Sequence, residues 1–346
     1  MSPSLATRFT VGRLTCWTLD AGLQRLDGGA MFGVVPKPLW ERRIAPDARN
    51  RIPLALRCLL VEHPDGLVLV DTGIGNKEDA KFVDIYGVEN AGTAGPTRLE
   101  DALAAAGHRP ADVRWVVNTH LHFDHAGGNT LHQSDGSVAL AFPEARYVMQ
   151  RRELEFASHP NERTRASYLP PNFAPVAASG RLRLVDGETE VLPGILLLPS
   201  PGHVPFHQSI VVREGGEAAC FLGDIVPTAA HLPPAWIMAY DLEPLVTLAT
   251  KKALLARAAR EEWQLVFYHD PVVSRGMVAP DAAGGFVGRQ AGSAVREQFL
   301  FGGGVALHDR HRVLSLFGVG NADDRSPQDR GVGGQHLLYL AGEDRE

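Results

Sequence analysis

The stretch Thr119-His120-Leu121-His122-Phe123-Asp124-His125-Ala126-Gly127-Gly128 sets three histidines and an aspartate within six positions, directly after the apolar run 114–117. Alternate residues of an extended chain point the same way, so His120 and His122 can present two imidazoles to one ion. Asp124 and His125 then turn toward a second ion just beyond the strand. The Gly127-Gly128 pair lets the backbone pass close to both. Imidazole and carboxylate donors suit zinc, and also manganese, iron or cobalt. The alternative is a polar loop or a set of satisfied core histidines. Burying so many polar groups beside an apolar strand without partners would cost several kcal/mol, and a metal removes that cost.

Outward from this stretch the chain reads as a layered α/β fold. β-type runs fall at 9–19, 55–62 and 67–70, rich in Val, Leu, Thr and Phe and broken by glycine turns. They predict an antiparallel meander. Residues 97–106 have helical spacing, with Thr97 as N-cap, Glu100 as its capping-box partner and Gly107 closing the helix. The run 114–117 is a short buried strand that delivers the histidines at its carboxyl end, where catalytic groups on loops are held by a rigid sheet. A second half repeats the plan, with strands expected at 181–185, 195–198, 208–212 and 218–222. An amphipathic helix at 242–261 and a strand at 263–268 ending on His269 complete it.

The 346 residues, 45% hydrophobic and 21% charged, have the balance of a globular enzyme. A net charge of -6 argues against a nucleic-acid partner. Cys16, Cys58 and Cys220 are odd in number and far apart, which excludes a disulfide framework and leaves three buried small apolar residues. No run approaches a membrane span and residues 1–17 lack a cleavable apolar leader, so a cytoplasmic protein is expected. Residues 274–346 differ, with Gly284-Gly285, Gly302-Gly303-Gly304 and Gly333-Gly334 among many Arg and Asp. The domain reading is therefore a hydrolase domain at 1–273 and a poorly ordered glycine-rich extension at 274–346.

The HxHxDH spacing resembles that of the metallo-β-lactamase superfamily, and further motifs follow in the family's order. Asp71-Thr72-Gly73 is similar to its early Asp-Thr-Gly turn, whose aspartate supports the site from behind. Ser200-Pro201-Gly202-His203 is similar to the motif supplying the third ligand of the first metal, and Phe221-Leu222-Gly223-Asp224 to the one whose carboxylate bridges both metals. Phe267-Tyr268-His269-Asp270 is similar to the last-histidine motif. The resemblance covers residues 9–271 and implies an αββα sandwich of two mixed β-sheets flanked by helices. It also implies two divalent ions, zinc by preference, held by His120, His122, Asp124, His125, His203, Asp224 and His269. His207 and Asp270 fall outside that set and are expected to be structural or to support the ligands.

The ligand set narrows the relatives. Zinc β-lactamases of the superfamily use a cysteine near the position of Asp224, and flavodiiron oxidoreductases carry a glutamate where His122 stands. Residues 31–40 and 227–244 resemble the branch of N-acyl-homoserine lactonases and methyl parathion hydrolase, whose members are often dimers, implying a homodimer. Met31, Phe32, Trp40, Trp236, Ile237 and Met238 would wall an acyl chain or equally fill a core. The best-known lactonases place a tyrosine shortly after the bridging aspartate, where this chain has Ile225-Val226-Pro227-Thr228; Tyr240 is the candidate to replace it. The turn Val204-Pro205-Phe206-His207 departs from the branch's usual Thr-Pro-Gly-His.

The expected activity is the opening of a lactone, such as an N-acyl-homoserine lactone, by a hydroxide formed between two ions about 3.5 to 4 Å apart. Catalysis is assigned to Asp124, Asp224 and Tyr240, with Asp124 passing the proton to the leaving alkoxide. The alternative is a phosphotriesterase or aryl-ester hydrolase of the same fold. A glyoxalase II-like thioesterase would need a basic C-terminal helical module that is not found, and a non-catalytic metal-binding protein would bind metal without hydrolysing any activated ester.

Overall fold

A computed structural model describes residues 4–282 and 285–289. The first sheet draws on strands β1 (Ala6–Val11), β2 (Leu14–Asp27), β3 (Arg51–Glu62), β4 (Leu67–Val70) and β5 (Val113–Val117). A small hairpin, β6 (Thr130–His132) and β7 (Val138–Leu140), stands apart, and β8 (Arg146–Gln150) and β9 (Leu182–Val185) complete the sheet in the order β1-β2-β3-β4-β5-β8-β9. The second sheet runs in sequence order through β10 (Thr189–Leu192), β11 (Ile195–Pro199), β12 (Gln208–Glu214), β13 (Glu217–Phe221), β14 (Gln264–Val266), β15 (Arg275–Pro280) and β16 (Phe286–Arg289). Both are mixed: β1 to β4 pair antiparallel and β4, β5, β8 and β9 parallel, while in the second sheet β13 and β14 form the parallel pair.

Helices α1 (Gly28–Phe32), α2 (Lys37–Trp40), α3 (Ala80–Tyr86), α4 (Arg98–Ala105), α5 (Phe123–Ala126), α6 (Arg151–Ser158), α7 (Ala174–Ala178) and α8 (Pro244–Arg260) complete the sandwich. The expected capping box is present on α4: the Leu99 amide donates to Thr97 Oγ1 and the Thr97 amide to Glu100 Oε2. Period-two alternation separates the layers. In β12, Ile210 and Val212 join the inter-sheet core with Phe221 of β13, whereas Val211, Cys220 and Leu222 face outward onto Leu254, Leu255 and Ala258 of α8. All three cysteines are buried and unpaired.

Three expectations change. The run 9–19 is two strands, because Gly12, at φ 54°, turns the chain between them. The strand expected at 181–185 belongs to the first sheet, since β9 pairs with β8 and not with β10. The second sheet also continues past residue 273, taking β15 and β16 from the stretch read as an extension. The rest of that stretch lies outside the described residues.

Lys251, on α8, is 1% exposed, and its ammonium donates to the carbonyls of Pro233 and Trp236 at 2.9 and 2.7 Å. It thereby pins the foot of the loop 232–243 against the second sheet's helix. Burial pushes the lysine down to about 7.

Candidate metal centre and pocket

The chain after β5 places its donors through a turn with no freedom for side chains. A Cβ on Gly127 would meet the Ile74 carbonyl oxygen at 2.1 Å, and one on Gly128 the Thr72 carbonyl oxygen at 2.1 Å. Beneath them Asp71 sits at φ 55°, a left-handed conformation that is costly for a non-glycine residue. That geometry aims its carboxylate upward. Thr119 donates to it through its amide and its hydroxyl, each at 2.8 Å, and His125 through Nδ1 at 2.8 Å.

The same device recurs at each histidine. With the Thr119 hydroxyl proton committed to Asp71, its oxygen accepts from His120 Nδ1 at 3.1 Å. His203 Nδ1 donates to Asp241 at 2.9 Å, and His269 Nδ1 to the Ala55 carbonyl of β3 at 2.9 Å. In His120, His125, His203 and His269 the Nδ1 partner is thus fixed, which turns Nε2 inward. Burial alone would lower His125, His203 and His269, but the facing Asp224 pushes all three up, so without a cation their Nε2 atoms hold protons that a bound metal would displace. His122 lies with Nδ1 3.1 Å from His203 Nε2, its ring packed edge-on against Tyr168.

These atoms converge in two groups. His120, His122, His203 and Asp224 offer donor atoms within 4.8 Å of one another, and so do Asp124, His125 and His269. Asp224 stands between them. Its Oδ2 is 3.3 Å from His203 Nε2, and its Oδ1 is 3.2 Å from His125 Nε2 and 3.3 Å from His269 Nε2. His120 Nε2, His125 Nε2 and Asp224 Oδ1 are buried without a hydrogen-bond partner. Buried polar atoms are rarely left so, and cations placed among them would satisfy all three. The residues therefore fit a pair of divalent ions.

Electrostatics agree with a site built for cations. Burial keeps His120 and His122 well below the usual histidine range, ready as neutral ligands. Burial would raise Asp124 and Asp224, but facing histidines, His125 first, outweigh it; Asp124 is held down at about 2 and Asp224 well below the carboxylate range.

His207 is not among the donors. Its Nε2 accepts the Asp224 amide at 3.1 Å and its Nδ1 is 2.8 Å from Ser200 Oγ, so it holds the backbone of Asp224. Burial pushes it down to about 3, which keeps the ring neutral and Nε2 an acceptor. Asp270 accepts the amides of Ala229, Val272 and Val273, a structural role.

Above the donors opens a cavity of about 340 Å³. Leu26, Met31, Phe123, Met238 and Leu242 supply its apolar wall, and His122, Asp124, His203, Asp224 and His269 its polar floor. Tyr240 stands at the rim, 39% exposed. Of the six apolar residues left open between wall and core, Met31 and Met238 line the cavity, while Phe32 and Trp40 stack behind them in the same hydrophobic cluster. Sequence reasoning gave no role to Gln24, whose amide donates to Asp124 Oδ2, to Asp241 behind His203, or to Arg163, which reaches the Ala239 carbonyl at 2.8 Å across the rim. Asp241 carried a local signal, an acid closing the Trp236-to-Tyr240 stretch ahead of α8; Gln24 and Arg163 carried none.

A family model described as the metallo-beta-lactamase superfamily matches residues 53–269. An N-acyl homoserine lactonase of Bacillus sp is 31% identical over 167 residues, 47% of this chain and 60% of the relative's own length. A solved "probable metal-dependent hydrolase" from Staphylococcus aureus aligns with TM-score 0.73 and 30% identity over 83% of this chain and 100% of its own. A variant of AiiA from B. thuringiensis, with N-decanoyl-L-homoserine bound at the active site, aligns with TM-score 0.57 and 26% identity over 76% of this chain and 95% of its own.

Proposed function

This chain belongs to the metallo-beta-lactamase superfamily, and we propose that it is a dinuclear metal-dependent hydrolase that opens a lactone ring, with an N-acyl-homoserine lactone as the leading substrate. The observation that carries this reading is the pair of donor groups sharing Asp224 at the floor of an apolar-walled cavity. His120, His122 and His203 would hold one ion, Asp124, His125 and His269 the other, with Asp224 between them. Imidazole and carboxylate donors favour zinc. Two such ions, when bound, would supply an acidified water for attack on the carbonyl and positive charge for the oxygen that becomes anionic.

The chain's own residues do the rest. The Asp124 carboxylate, ionised at neutral pH, accepts the proton released on attack and passes it to the alkoxide that leaves the ring. Tyr240, a phenol that keeps its hydroxyl proton at neutral pH, donates a hydrogen bond to substrate at the rim. Met31, Met238 and Leu242 take up an acyl chain and exclude water from it. Among the described residues lining the cavity the sole lysine or arginine is Arg163, already donating to Ala239. That lining favours a neutral ester over an anionic substrate.

The test is elemental analysis together with hydrolysis of an acyl-homoserine lactone series and an aryl phosphotriester, on wild type and Asp224→Ala. Two metals per chain and lactone turnover, both lost in the variant, are expected. Two metals with only phosphotriester turnover would replace the substrate class, and a metal-free wild type with no turnover would overturn the reading.

A further inference from the structure

Gln24 lies on β2, is wholly buried, and its side-chain amide donates to a single partner, Asp124 Oδ2. Its Oε1 has no hydrogen-bond partner. An unpaired buried amide oxygen is a standing cost that a methionine or leucine here would avoid. We infer that Gln24 is a positioning residue for Asp124, fixing the rotation of the carboxylate toward the second donor group; this rests on the ligand role proposed above for Asp124.

The geometry around Asp124 supports that role. Its backbone carbonyl is held by the Tyr268 hydroxyl, which fixes the main chain but leaves the side chain free to turn. Gln24 removes that freedom. With it in place Asp124 Oδ2 lies 3.4 Å from His269 Nε2 and Oδ1 lies 4.0 Å from His125 Nε2, so the carboxylate faces the gap between the two rings.

The chemistry of the donor also matters. A lysine or arginine on β2 could orient the carboxylate equally well, but would pair with its charge and compete with a cation. An amide donates a hydrogen bond and carries no charge, so Asp124 keeps its full negative charge for an ion. Nor can it titrate, so the amide remains a donor at every pH.

The experiment measures the affinity of each of two zinc ions by competition with a chromophoric chelator, in wild type, Gln24→Met, Gln24→Leu and Gln24→Asn, together with the melting temperature of each metal-free protein. One zinc ion should bind roughly 10- to 100-fold more weakly in Gln24→Met and Gln24→Leu, the range for residues that orient metal ligands, with the other ion unaffected. Gln24→Asn, an amide one methylene too short, should resemble them. The metal-free Gln24→Met and Gln24→Leu proteins should melt no lower than wild type, since both remove the unpaired amide oxygen, whereas a purely packing role would lower them. Wild-type affinity for both ions in folded Gln24→Met would overturn the inference alone. Failure of wild type itself to bind two ions would overturn the metal reading beneath it.

Discussion

The floor of the cavity and its rim are built on opposite principles. Every donor on the floor except His122 is at most 6% exposed and is tied from behind: Asp71 to His125, Asp241 to His203, the Ala55 carbonyl to His269, His207 to the Asp224 backbone. The rim is made by loops, with Arg163 and Tyr240 open to solvent and few ties between them. A rigid floor serves chemistry that tolerates little displacement, and an open rim serves a substrate that must enter and leave. Substitutions at the floor should therefore cost far more than substitutions at the rim.

The largest contrast is expected at Asp71. Asp71→Ala takes away the acceptor for three donors, leaving the His125 ring free to turn, and should weaken zinc binding on the order of 100-fold. Chelator competition measures this; unchanged affinity would mean that the ties behind the floor are dispensable.

A middle effect is expected at Lys251, beneath the rim loop. Its value of about 7 in the folded protein lies below its ordinary 10.5, so between those values the unfolded chain binds the extra proton. The wild type should gain stability as pH rises from about 7 toward 10.5 and lose it on the way down. Lys251→Met should lack this contribution. Denaturation midpoints of the two proteins at several pH values give the comparison, and parallel curves would show that the lysine is not held in its low-pKa state.

The smallest effect is expected at the rim itself. Tyr240→Phe removes one hydrogen bond of about 1 kcal/mol, several-fold in rate. Steady-state kinetics on a short-chain lactone should place the change in kcat, with metal content intact. A loss as large as that at Asp71 would make the rim part of the rigid machinery.

The same contrast explains what could be read in the sequence. The cluster 120–125 is local, so spacing alone exposed it. His203, Asp224 and His269 are single residues on separate strand ends, visible only through the order of motifs around them. Gln24 was hidden for another reason. A bulge between Asp20 and Leu23 shifts the pairing of β2 with β3, so alternation counted from the strand's start does not say which way Gln24 faces. The strand at 181–185 was found but assigned to the wrong sheet, because a parallel edge strand carries no signature of its partner. Wall and core could not be told apart in the sequence, because Phe32 and Trp40 are as apolar as the Met31 and Met238 that line the cavity, and only packing separates the two.

Each donor group is divided between the two sheets. His120 and His122 follow β5 while His203 and Asp224 follow strands of the second sheet, and Asp124 and His125 meet His269 in the same way. An ion held here is a cross-link between two half-folds, joining residues some 80 to 145 positions apart as a disulfide would, but removable by a chelator. The chain cut between β9 and β10 would leave two pieces, neither of them carrying either complete donor group, so capture of the metal and closure of the sandwich would become a single event.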